Sequence, residues 1–141
     1  MRQVPVTTAW IINAFENSSQ HSEYYVDLQN GDVRFFSPLD FPEHDEIMKK
    51  LDRQPERFIR LPKLEKEFSL QVKKDYIATL ENQVLKSQLE NELETDARFR
   101  RILMDHEDER LQWYKFQNEK YADYLKKWFM EKGIELVEKH L

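Results

Sequence analysis

The sequence predicts an α+β fold. Three observations carry that prediction. Asn30-Gly31 lies between two strand-like runs, apolar residues recur at helical spacing from Ser69 onward, and a long aromatic-rich stretch from Glu107 is stopped by Gly133. In chain order, Thr7 or Thr8 can cap a short N-terminal helix carrying Trp10, Ile11, Ala14 and Phe15 on one side. Asn17-Ser18-Ser19 reads as the loop that ends it.

The runs Glu23–Gln29 and Asp32–Ser37 then form a β-hairpin (23–37) with a two-residue type I′ turn, because both turn positions need positive φ and Asn-Gly supplies it. That turn sets Leu28 opposite Val33 and Val26 opposite Phe35 on one face. It sets Asp27 opposite Arg34 and Tyr25 opposite Phe36 on the other, an ion pair and an aromatic pair. Two strands alone are marginal in water. Residues 58–61 (Phe58-Ile59-Arg60-Leu61, ended by Pro62) are the candidate third strand of a small antiparallel sheet. Glu43–Arg53 reads as a helix with Ile47, Met48 and Leu51 on one face, and Pro38, Pro42 and Pro55 mark turns around it.

The remainder is a larger helical part. Ser69 caps a helix with Leu70, Ile77 and Leu80 in a stripe and Tyr76 beside it. After a break near Glu81-Asn82, Leu85, Leu89 and Leu93 follow at i+4 spacing. Asp96 caps a third segment with Phe99, Ile102 and Leu103 inward. The last helix, Glu107 to Lys132, gathers Leu111, Trp113, Tyr114, Tyr121, Ala122, Tyr124, Leu125, Trp128 and Phe129 on about half its circumference at about 100° per residue. Phe116 falls off that arc, among Lys115, Glu119, Asp123 and Lys126.

With 141 residues the chain has the size of a single domain, 1–141, made of a helix and hairpin part (1–62) and a helical part (63–141). It has no cysteine, which excludes disulfides, thiol nucleophiles and thiolate metal sites. The start lacks an apolar leader, and no apolar run is long enough to span a bilayer. A cytoplasmic protein with no membrane partner is expected. The net charge is −5, and neither part is basic: residues 1–62 hold 7 basic and 10 acidic side chains, the rest 15 and 17. A phosphate-binding surface would be a local patch working against the overall field.

Several segments together resemble uncharacterised protein family 0158, bacterial small proteins of unknown function. They are Tyr25–Val33, Arg57-Phe58-Ile59-Arg60-Leu61-Pro62, Phe99-Arg100-Arg101, Trp113-Tyr114-Lys115-Phe116 and Trp128 … Gly133-Ile134, spanning about residues 7–134 in the family's order. The chain departs from the pattern at Ile102, where the family often has an aromatic residue. It departs again at Asp105-His106-Glu107-Asp108, where the family has a more apolar, glycine-containing link. The resemblance implies a cytoplasmic α+β domain and no activity.

Catalytic signatures are missing. Two glycines leave no phosphate-cradling loop, there is no Gly-x-Ser-x-Gly, and no pair of carboxylates is singled out. The histidines His21, His44, His106 and His140 have no metal-ligand spacing. The runs Glu43–Glu46 and Asp105–Asp108 read as solvated helix starts, because neighbours on a helix point about 100° apart. No cofactor is expected. The sequence therefore favours a non-enzymatic protein-interaction or regulatory module, binding a partner protein or itself. Its candidate exposed anchors are Tyr25, Phe36 and Phe116, although a helix covering Tyr25 and Phe36 is the favoured alternative for those two. The second reading is an RNA- or DNA-binding module using Arg98, Arg100, Arg101, Arg110 and Lys115 with Phe116. Against it stand the acids of 105–109. The plain structural reading makes Phe99, Trp113 and Tyr114 core and pairs the arginines with nearby carboxylates.

Overall fold

A computed structural model describes residues 1–18, 22–37 and 43–139. The turn expected around Pro38 and Pro42, and the histidines His21 and His140, lie outside the described residues. Among the described residues six helices and five strands make up an α+β arrangement, with four of the helices consecutive before the last strand. They belong to two units, Met1–Leu64 with Ala122–Leu141, and Glu65–Tyr121. Residues 122–141 belong with the first unit although they follow the second in the chain.

The first unit contains β1 (Arg2–Val6), α1 (Thr8–Glu16), β2 (Glu23–Asp27), β3 (Val33–Phe36), α2 (Glu43–Asp52) and β4 (Phe58–Arg60). The antiparallel sheet runs β3-β2-β4, so the third strand lies where the sequence expects it. The hairpin is real, but its turn is not type I′. Among the described residues only Gly31 and Gly133 have positive φ, so Asn30 cannot take its half of that turn. The loop is longer. The Asp27 N–H donates to the Asp32 carbonyl (2.8 Å) and the Gly31 N–H to the Asp27 carbonyl (2.7 Å). The Asp27 and Asn30 side chains accept the Gln29 and Asp32 N–H groups as Asx turns. Pairing therefore slides by two residues, to Tyr25↔Arg34 and Val26↔Val33. A slide of two keeps every side chain on its expected face.

The face holding Tyr25 and Phe36 is core. Both pack with Leu51 of α2, Phe58 of β4 and partly buried Met48, and the Tyr25 and Phe36 rings meet edge to face at 5.5 Å. Asp27 pairs with Arg57 rather than Arg34, through bonds of 3.3 and 3.2 Å to the guanidinium. Arg34 lies over the Phe58 ring at 5.3 Å, and Arg57 also approaches that ring, at 4.9 Å. Burial disfavours the Asp27 charge, but the Arg57 hydrogen bonds, the Gln29 N–H and the charges of Arg57 and Arg34 outweigh it. They hold the carboxyl below its ordinary value.

β1 and β5 (Ile134–Glu138) form a second, parallel two-stranded sheet that the sequence reading missed. Val4 and Val6 alternate inward from β1 and Ile134 from β5. The hairpin loop leans on this pair. A Cβ at Gly31 would collide with the Pro5 carbonyl oxygen and lie 3.4 Å from the Val6 Cα. Arg2 donates to the Glu56 and Leu28 carbonyls, and Lys139 to the Asn30 carbonyl. Glu138 of β5 also accepts the Thr8 N–H and hydroxyl at the start of α1, where a carboxylate suits the helix dipole. In α1, Ile11, Ala14 and Phe15 are buried. Trp10 is 59% exposed, contrary to its expected inward position, because the inward stripe runs through residues 11, 14 and 15.

The second unit holds α3 (Lys66–Ile77), α4 (Gln83–Glu90), α5 (Asp96–Met104) and the first part of α6 (Glu107–Met130). α3 starts earlier than expected, with Glu65 rather than Ser69 at its N-cap, and the Ser69 N–H donates within the helix. Asn82 caps α4 by accepting the Leu85 N–H at 3.1 Å, which explains the break there. Thr95 occupies the N-cap of α5, so Asp96 is its first residue and is free to bond Lys73. Trp113 packs at a tilt against Tyr76 (5.3 Å) and edge-on against Phe99 (5.2 Å), and the three rings form this unit's aromatic core. Gly133, with φ +77°, ends the chain segment after α6.

Candidate functional site

The buried residues of α6 repeat every fourth position: Trp113, Gln117, Tyr121, Leu125 and Phe129. A residue advances about 100° on a helix, so each step of four rotates the buried face by about 40°. Near the start of α6 the inward side is that of Trp113 and Gln117. Near its end it is that of Leu125 and Phe129. A single arc averaged over the whole helix merges the two directions. Leu111 has the angular position of Phe129, and Tyr114 lies between those of Tyr121 and Leu125. At their own height on the helix both positions face solvent.

Leu111 is accordingly 55% exposed and Tyr114 43% exposed, contrary to their expected place in the core. Three residues apart, they are neighbours on the helix surface. Lys115 and Asn118, also exposed, border them. Met104, the last residue of α5, is exposed as well.

The anchors expected from sequence have different places. Tyr25 and Phe36 are buried and are not available to a partner. The α2 side chains cover their face, as the alternative reading anticipated. Tyr25 donates to Asp52 (2.8 Å) and accepts from Arg60 (3.0 Å), and Arg60 also bonds Asp52 at 2.6 Å. Burial, reinforced by the Asp52 carboxylate, pushes this phenol up to about 12. Phe116 is half-buried, its ring 5.5 Å from Tyr76 with the Lys120 ammonium 5.4 Å from its centre. It closes the edge of the aromatic core and is no free anchor. Tyr76 beside it donates to the Glu109 carbonyl, and burial with the Glu109 charge raises its phenol to about 12.

Phe99 of the Phe99-Arg100-Arg101 motif is core, with Lys73 over its ring at 5.2 Å. Lys73 is itself buried and donates to the Leu93 carbonyl and Asp96. Arg98, Arg100 and Arg101 are exposed and spread over about 160° of α5 at about 100° per residue, so they do not converge. Arg98 lies 3.8 Å from Glu92. Arg110 is half-buried with its Nε unbonded, and Lys115 is exposed on the far side of α6 from Trp113. Among the described residues no three His, Asp or Glu side chains are grouped to hold a metal ion, and no helix is long and apolar enough to cross a membrane.

The profile of Uncharacterised protein family UPF0158 matches residues 1–140. The chain belongs to that family. A Pseudomonas aeruginosa protein called UPF0158 protein PA5073 is 26% identical over 126 residues, which is 86% of this chain and 80% of that protein. No solved structure matches significantly. Three segments that carry the family likeness do structural work in this member. Arg57 and Phe58 hold the Asp27 turn and the sheet core, and Phe99 and Trp113 build the helical core.

Proposed function

We propose that this UPF0158 member is a cytoplasmic bacterial protein-interaction or regulatory module without enzymatic activity. Its docking surface is the Leu111/Tyr114 face of α6. The observation that supports this is the pairing of two large apolar side chains, adjacent on one rigid helix and turned to solvent, while the helix's other aromatic residues are committed to packing. Aromatic side chains flanked by polar residues are the usual anchors of protein interfaces. The occupant is a partner protein that offers an apolar pocket or side chain to Tyr114. The exposed arginines of α5 give less support to a nucleic-acid surface, because they point in divergent directions and are flanked by the exposed acids Glu94, Asp96 and Asp105.

The test is affinity capture of the tagged full chain from its host's lysate, with and without nuclease, beside a Leu111→Glu/Tyr114→Glu variant of equal helicity. The expected result is a protein retained by the wild type in both preparations and lost by the variant. Retention unaffected by the substitutions would overturn the assignment. Salt-sensitive capture of nucleic acid alone would transfer it to the arginines.

A further inference from the structure

Among the described residues β5 has a strand neighbour on one side only. The Arg2 N–H donates to the Gly133 carbonyl (3.1 Å) and the Lys139 N–H to the Val6 carbonyl (2.8 Å), which fixes the alternation along this parallel pair. Glu135 and Val137 turn their peptide groups to β1. Ile134, Leu136 and Glu138 turn theirs away, and among the described residues no strand lies on that side. β1 is closed on its own outer side: Pro5 has no N–H to offer, and its carbonyl is covered by Gly31. An isolated parallel pair with one bare edge is a template for a further strand.

We propose that the bare edge of β5 is completed by β5 of a second copy of this chain, antiparallel across a two-fold axis at Leu136. The product is a four-stranded sheet in the order β1-β5-β5-β1. In this register Leu136 faces the partner's Leu136, Ile134 faces the partner's Glu138, and Glu135 faces the partner's Val137. All outward peptide groups of Ile134, Leu136 and Glu138 find partners. Charge supports the same register, because each carboxylate meets an apolar side chain and no two like charges are directly opposed. Beside the edge lies a recess of about 540 Å³ lined by Met1, Lys126, Met130, Glu135 and Leu136, with Met1 71% and Met130 51% exposed. A second copy brings cover to this apolar surface. The proposal stands apart from the α6 docking face.

The experiment is sedimentation equilibrium of the full chain over a wide concentration range, for wild type and two variants. Leu136→Asp sets two carboxylates against each other on the axis, and Leu136→Lys two ammonium groups. Each should weaken dimerisation at least about tenfold, and an equimolar mixture of the two should restore it. Should either variant fold poorly, Leu136→Cys decides, since the chain has no other cysteine. Directly paired residues of this kind have Cα atoms about 5.5 Å apart, within the disulfide range of about 4.4–6.8 Å. Oxidation should give a covalent dimer from Leu136→Cys and not from Glu119→Cys on the outer side of α6. A wild type that stays monomeric throughout overturns the proposal. So does a dimer that ignores Leu136→Asp but is lost in Leu111→Glu/Tyr114→Glu, or equal cross-linking at both cysteine positions.

Discussion

The two glycines offer a controlled comparison. Gly31 and Gly133 have nearly the same φ, +79° and +77°. An alanine at either pays the left-handed backbone cost of about 1–2 kcal/mol. Their surroundings differ. A Cβ at Gly133 meets nothing within 4 Å, whereas at Gly31 it runs into the Pro5 carbonyl, whose carbon lies 3.1 Å away. The obstacle is backbone of a paired strand, so either β1 or the hairpin loop must move. Overpacking of that kind costs about 1–3 kcal/mol more. Gly133→Ala should therefore lose about 1–2 kcal/mol and Gly31→Ala about 2–5 kcal/mol in total. Urea unfolding monitored by circular dichroism measures both, and a thermal scan should order them the same way, at about 3–4 °C per kcal/mol. Equal losses would refute the close approach of the loop to β1.

Further outcomes follow from the same geometry. Asp27→Asn should cost about 1–2 kcal/mol at neutral pH, since Arg57 is 42% exposed and its loss of a partner is softened by water. The Asp27 carboxyl is held below its unfolded value of about 3.9, so its stabilisation is complete above that pH and is lost as pH falls further. Acid unfolding curves should accordingly be shallower below about pH 4 in the variant. Tyr25 and Tyr76 have the opposite sign: raised to about 12, they favour the fold fully below the unfolded value of about 10 and lose that contribution as pH rises through 12. Tyr25→Phe and Tyr76→Phe should each remove a tyrosinate absorbance step near pH 12. On α6, Trp113→Ala should cost about 3–5 kcal/mol while Leu111→Ala stays within about 0.5 kcal/mol, as chemical denaturation will record.

Features set by short-range periodicity were legible in the sequence. Hairpin faces depend only on alternation, so Tyr25 and Phe36 share a face whichever loop joins the strands. The register needed the loop conformation. There the Asx turns of Asp27 and Asn30 and the left-handed Gly31 outweigh the Asn-Gly signal. Asp27, with an acceptor side chain two residues before Gln29, was the available clue. The β1–β5 pairing joins segments more than a hundred residues apart and has only Val4/Val6 and Ile134/Leu136 alternation to announce it. The family likeness was legible because its segments hold the two cores, where residue type is constrained by packing. The outward face of α6 was hidden for a geometric reason. Helix-wheel averaging over 24 residues erases a buried stripe that rotates along the axis. A window of two turns around Trp113 would have separated Leu111 and Tyr114 from the core.

The measurement that tests the interaction surface most directly is photo-cross-linking in the host cell from a benzophenone amino acid placed at Tyr114. Position 119, on another side of the same helix, serves as reference. The expected result is a discrete protein adduct from position 114, absent from position 119 and unchanged by nuclease. Labelling that is equal at the two positions, or that reaches only nucleic acid, would contradict it.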